Sequence, residues 1–88
     1  MITIVKFESD SCPQCKALST TLERITKEYK TDIKSIDIEE DNNQDLIRKY
    51  NIRSIPTLIF LNEDKEYNRL VGTQSYAIIN KIINYDTI

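Results

Sequence analysis

The chain predicts a single α/β domain: a mixed four-stranded sheet flanked by helices, in the order β-α-β-α-β-β-α. Three observations carry this. Strand-like and helix-like stretches alternate through the first two thirds of the chain, which implies parallel crossovers. Two strand-like stretches then follow each other across a four-residue polar turn, which adds an antiparallel edge. At 88 residues, 40% apolar and 30% charged, the chain has room for one modest core and no second folded unit, so residues 1–88 are read as one domain.

Residues 2–7 are rich in β-branched and aromatic side chains and form the first strand. From residue 17 to residue 29 the apolar positions Leu18, Leu22, Ile25 and Tyr29 recur at spacings of four, three and four, a helical stripe with Glu23 and Lys27 on its exposed side. Residues 33–38 alternate apolar and polar and give the second strand. Residues 39–44 read as a loop, and 45–50 as a short helix that turns Leu46, Ile47 and Tyr50 inward. The nearly continuous apolar run at 57–61 predicts a central strand buried on both faces. Residues 62–65 turn the chain, 66–71 return as a strand, and Gly72 precedes a last helix from about Ser75, with Ile78, Ile79, Ile82 and Ile83 as its apolar stripe.

Composition excludes more than it suggests. The chain has no histidine, which removes imidazole ligands, imidazole acid–base chemistry and histidine-activated nucleophiles. Two cysteines cannot by themselves complete a four-ligand zinc site, so no metal is expected within a monomer. A net charge of −2 with basic residues scattered among acids is not a nucleic-acid surface. No apolar stretch approaches the roughly 18 residues of a membrane helix. The start of the chain has no basic n-region, long apolar core or cleavage site. The expected setting is therefore cytoplasmic, in a host cell if the chain is phage-encoded. There a close cysteine pair is read as redox or metal chemistry rather than as a framework disulfide.

That pair is Ser11-Cys12-Pro13-Gln14-Cys15-Lys16, between the first strand and the first helix. With Cys12 at the helix N-cap, Pro13 takes the first helical position, where a missing N–H costs nothing. The N–H groups of Gln14 and Cys15 then point at the Cys12 sulfur, and the helix dipole favours a thiolate there. Cys12 is the expected nucleophile and Cys15, one turn inside the helix, the resolving thiol. A structural staple is a weaker reading, since closing so short a loop contributes only about 2 kcal/mol. A zinc half-site needs a second pair from another chain. Two unrelated buried cysteines complete the alternatives.

With these residues in view the chain resembles the thioredoxin superfamily along nearly its whole length. The resemblance rests on three elements in order: the Cys12/Cys15 pair with Lys16, the segment Tyr50-Asn51-Ile52-Arg53-Ser54-Ile55-Pro56-Thr57-Leu58-Ile59-Phe60, and Leu70-Val71-Gly72 before the last helix. It implies a thiol–disulfide oxidoreductase whose only redox group is the Cys12/Cys15 disulfide, with no further cofactor. It also implies a cis Ile55-Pro56 peptide packed against the cysteines and an Ile55 backbone that pairs with extended substrate. Gly72 would border the peptide groove, its missing Cβ allowing close approach. Pro13 and Gln14 would face the substrate. The implied partners are an NADPH-linked thioredoxin reductase or similar flavoprotein and disulfide-containing proteins such as ribonucleotide reductase, with the chain acting as a monomer.

The departures from the pattern bear on specificity. The intervening dipeptide is Pro13-Gln14, proline first as in glutaredoxins, and Ser11 replaces the usual aromatic residue. Ser54-Ile55-Pro56 and Gly72-Thr73-Gln74-Ser75 lack most of the glutathione clamp of that group. Lys6 aligns with the buried acid that assists the resolving cysteine in thioredoxins. With Lys16 it is read as favouring thiolates electrostatically, or else as a strand lysine that snorkels to water with no catalytic part. Glu8 and Asp10 are expected to be exposed and screened. Glutathione-linked reduction and a non-catalytic binding module of the same fold are the competing functions.

Overall fold

The computed structural model describes residues 2–87, with side chains through residue 84. The chain runs β1 (Ile2–Glu8), α1 (Pro13–Glu28), β2 (Thr31–Asp37), a 3-10 turn (Asp41–Asn43), α2 (Gln44–Lys49), β3 (Thr57–Asn62), β4 (Lys65–Val71) and α3 (Tyr76–Thr87). The sheet order is β2-β1-β3-β4. β1 and β2 are parallel, while β3 runs antiparallel to both β1 and β4. This is the architecture expected from the alternation of periods.

Two central strands carry the core because each strand alternates its side chains between faces. On one face Ile2 and Ile4 of β1 and Leu58 and Phe60 of β3 meet Leu18, Leu22 and Ile25 of α1 and Ile79 and Ile83 of α3. On the other, Val5, Phe7, Ile59 and Leu61 pack with half-buried residues that include Leu46, Ile47 and Tyr50 around α2. Each residue of β3 from Thr57 to Leu61 is buried, as its apolar run predicts.

Several boundaries differ from the sequence reading. Helix α1 begins at Pro13, where the N-cap reading of Cys12 puts it, and ends at Glu28, one residue short of the Tyr29 that closes the expected stripe. The loop expected at 39–44 contains a 3-10 turn, held where Asn43 Nδ2 donates to the Asp37 carbonyl (2.9 Å) and the Glu39 N–H to Asp37 Oδ1 (2.9 Å). In α3, Ile79 and Ile83 are fully buried, but Ile78 is 44% exposed. A step of one residue is about 100° of helix, which carries Ile78 off the sheet-facing side. The β3–β4 hairpin turns on Glu63 and Asp64, both at positive φ (52° and 67°), as a two-residue turn that follows the strand twist requires. Among the described residues no helix is long and apolar enough to cross a membrane.

A surface latch joins α1 to α3. The Tyr76 hydroxyl donates to Glu28, Arg24 Nε donates to the same carboxylate at 2.8 Å, and the Arg24 guanidinium lies 3.7 Å over the Tyr76 ring. The Tyr76 hydrogen bond, then Arg24, holds the Glu28 carboxyl below its usual range, and Glu28 in turn raises the Tyr76 phenol. A lowered carboxyl contributes stability above its unfolded pKa and loses it as pH falls through the folded value. Tyr76→Phe is expected to move the Glu28 titration, followed by NMR, upward toward the ordinary carboxylate range. The stability difference between wild type and variant should then shrink as pH falls below about 4.3, the ordinary glutamate value. An unchanged Glu28 midpoint would show that the latch is not formed in solution.

Candidate active site

The sheet register gathers the sequence-predicted site residues at one end of the sheet. Phe7, near the end of β1, pairs with Thr57, the first residue of β3, and Thr57 pairs with Val71, the last of β4. The segment after β1 that leads to Cys12, the cis Ile55-Pro56 peptide before β3 and Gly72 after β4 therefore emerge together. The Gly72 N–H donates to the Pro56 carbonyl at 2.8 Å and ties the last two directly.

Cys12 is the N-cap of α1, with extended backbone (φ −103°, ψ 104°) and Pro13 at the start of the helix. Its sulfur accepts the Cys15 N–H at 3.1 Å. The expected second donor, the Gln14 N–H, is not among the hydrogen bonds to that sulfur, since one cap acceptor commonly serves the N2 or the N3 amide. Cys12 and Cys15 are joined as a disulfide with their Cα atoms 5.3 Å apart, a separation that a bridged pair ordinarily has. No acidic residue lies in the first turn of α1 to offset its positive end. Pro13 and Gln14 are exposed in front of the pair, and Cys12 is slightly less buried than Cys15 (7% against 1%). The Cys12 sulfur therefore lies at a helix N-terminus with a backbone donor on it.

Lys6 is 2% exposed. Its ammonium does not snorkel to water: Nζ donates to the Cys15 carbonyl (2.8 Å) and to Ser19 Oγ, and pairs with Glu8 Oε1 at 2.8 Å. These partners match the three donors of an ammonium. Glu8 is 26% exposed and held by this pair, so it is not the freely screened surface charge the sequence suggests, whereas Asp10 is exposed. Ser19 also donates to the Cys15 carbonyl at 3.2 Å. Glu8 and Ser19 are therefore site neighbours whose contacts the sequence reading misses. The available signal is positional: Lys6 and Glu8 are two apart on one strand face, and Ser19 is one helical turn beyond Cys15. Lys16 is exposed, and among its described interactions only its backbone N–H, donated to the Cys12 carbonyl at 3.3 Å, touches the motif.

Gly72 lies in a backbone conformation that favours glycine. An added Cβ would meet nothing within 4 Å, but φ is +88°, a conformation L side chains rarely adopt. Among the described residues no group of three or more potential ligands from His, Cys, Asp and Glu is placed to hold a metal.

A disulfide at a helix N-cap, on a β-α-β unit and beside a cis-proline loop, defines a thiol–disulfide oxidoreductase site. Comparison with known proteins agrees. The thioredoxin family model matches residues 1–85, and the chain belongs to the thioredoxin family. It is 28% identical to thioredoxin of Bacillus subtilis over 83 residues, covering 94% of this chain and 80% of that protein. It is also 28% identical over 81 residues to thioredoxin of Porphyra purpurea, covering 92% and 76%. Among solved structures, a thioredoxin-like protein from Clostridium perfringens superposes with a TM-score of 0.87 at 31% identity, over 97% of this chain and 70% of that one. A mutant thioredoxin from Halobacterium salinarum gives 0.87 at 25%, over 96% and 73%.

The positive φ at Gly72 sets a direct test. Gly72→Ala should lower unfolding stability in urea by about 1–2 kcal/mol, and Gly72→Asn should cost less because asparagine tolerates that region better. Equal stability of all three chains would exclude this backbone conformation.

Proposed function

We propose that this thioredoxin-family protein reduces disulfides in other proteins, with Cys12 as nucleophile and Cys15 as resolving thiol. The observation that supports it most is the asymmetry of the pair: Cys12 caps α1 and accepts the Cys15 N–H, while Cys15 is almost wholly buried one turn along.

In the proposed cycle the Cys12 thiolate attacks one sulfur of a substrate disulfide, forms a mixed disulfide and expels the other sulfur as a thiolate. Cys15 loses its proton and attacks the Cys12 sulfur, which closes the Cys12–Cys15 bond and releases the second substrate thiolate. The substrate gains two electrons and the protein loses two. With no histidine in the chain, water or a carboxylate accepts the Cys15 proton. No bound cofactor is needed, because the cysteine pair itself carries the electrons. An NADPH-linked flavoprotein such as thioredoxin reductase would return them. Ribonucleotide reductase, which ends each turnover with a disulfide, is a fitting recipient, and a reducing cytoplasm a fitting setting. Ile55, Pro56 and Gly72 lie at the same sheet end as the cysteines, which supports a role in holding an extended substrate segment there. The exposed Pro13 and Gln14 are placed to meet it.

An NADPH-oxidation assay with thioredoxin reductase and a protein disulfide tests the proposal. Cys12→Ser should abolish turnover, and Cys15→Ser should accumulate mixed disulfides visible on non-reducing gels. Undiminished turnover in Cys12→Ser would refute the assignment. Efficient turnover with glutathione and glutathione reductase alone would replace the reductase-linked route with a glutathione-linked one.

A further inference from the structure

The unusual feature of this site is a buried cation held directly against the redox helix. Lys6 is 2% exposed, and its Nζ donates to the backbone carbonyl of Cys15, itself 1% exposed. The ammonium is also held by Ser19 Oγ on α1 and by Glu8 Oε1 on the same strand. The apolar Leu58 lies across β1 from Lys6 in the register, and Ser35 on the other side. A groove of about 250 Å³ between α1 and β2 reaches the cluster, lined by Ser19, Glu23 and Ser35 among others. Charges in so buried a position are weakly screened and act on their neighbours far more strongly than surface charges do. A lysine this buried is also costly unless paired, so its placement against the cysteine turn calls for a reason beyond stability.

We propose that Lys6, Glu8 and Ser19 form a charge cluster that sets the redox equilibrium of the Cys12/Cys15 pair. Lys6 is its positive pole and Glu8 its moderating partner. Oxidised, the pair is neutral; reduced, it carries thiolate charge. A fixed cation beside Cys15 therefore favours the reduced form. Glu8, paired with Lys6, offsets part of that field. Ser19 holds the ammonium against the carbonyl. These are positioning residues, acting through the Cys15 backbone and the local field rather than on the sulfurs directly. The inference rests on the oxidoreductase reading, but the exchange equilibrium belongs to the cysteine pair alone. It is measured without reductase or protein substrate, so it stands or falls separately from the proposed partners.

The experiment equilibrates the full chain with reduced and oxidised glutathione at fixed pH and counts reduced protein by thiol alkylation. Lys6→Met keeps the length and removes the charge; it should shift the equilibrium about fivefold toward the disulfide. Glu8→Gln keeps the shape and leaves the ammonium unopposed; it should shift it severalfold toward the dithiol. A tenfold change corresponds to about 30 mV. Opposite signs are the signature, because loss of packing alone would not move the two variants in opposite directions. Should Glu8→Gln not fold, the Lys6→Met/Glu8→Gln double variant, which buries no lone charge, must fall between Lys6→Met and wild type. Lys6→Met within twofold of wild type, or both single variants shifting the same way, overturns the proposal.

Discussion

Strand β1 is hydrogen-bonded along both edges, to β2 and to β3, and its residues from Ile4 to Phe7 are all buried. Every other part of the structure takes its place from that double enclosure. Its two faces anchor the two halves of the core, with Ile2 and Ile4 toward α1 and α3 and Val5 and Phe7 toward α2. Its C-terminal end delivers the chain to the cysteine turn. In the middle of this enclosed stretch Lys6 is only 2% exposed. Lys6 must find all of its partners within the fold, and those within reach are the carbonyl and hydroxyl of the helix that carries the cysteines, together with Glu8.

The site then divides into a local and a non-local part. The cap, with Cys12 extended, Pro13 opening the helix and the Cys15 N–H on the sulfur, is built from consecutive residues and needs only the helix to form. The proposed substrate-facing side needs the sheet. Ile55, Pro56 and Gly72 are distant from the cysteines in sequence, and only the pairing of Thr57 with both Phe7 and Val71 brings them alongside. Breaking a buried ion pair by removing one partner is ordinarily far more costly than replacing both with apolar groups. Lys6 links the two parts, because its ammonium bridges Glu8 of the sheet and the Cys15 carbonyl of the helix.

Much of this is legible in the order of residues. The apolar run of β3 is what a doubly buried strand carries, and the spacing of Cys12, Pro13 and Cys15 matches one turn of a capped helix. What escapes depends on neighbours that no local pattern names. Ile78 carries the same side chain as Ile79, but the angle of α3 on the sheet exposes one and buries the other. Glu8 reads as a solvated acid until β1 places it beside Lys6. The positive φ of Gly72 is likewise set by the fold and named by no local pattern.

By itself, then, the sequence determined the element order, the mixed sheet and a thiol pair at a helix start. These follow from periodicity and capping, which act over one or two turns of chain. Only the tertiary structure decided that the lysine of β1 is locked against the second cysteine rather than reaching water. That outcome depends on which surfaces close over β1 from both sides, because burial is a property of the packed whole and a charge must be paired wherever the packing leaves it.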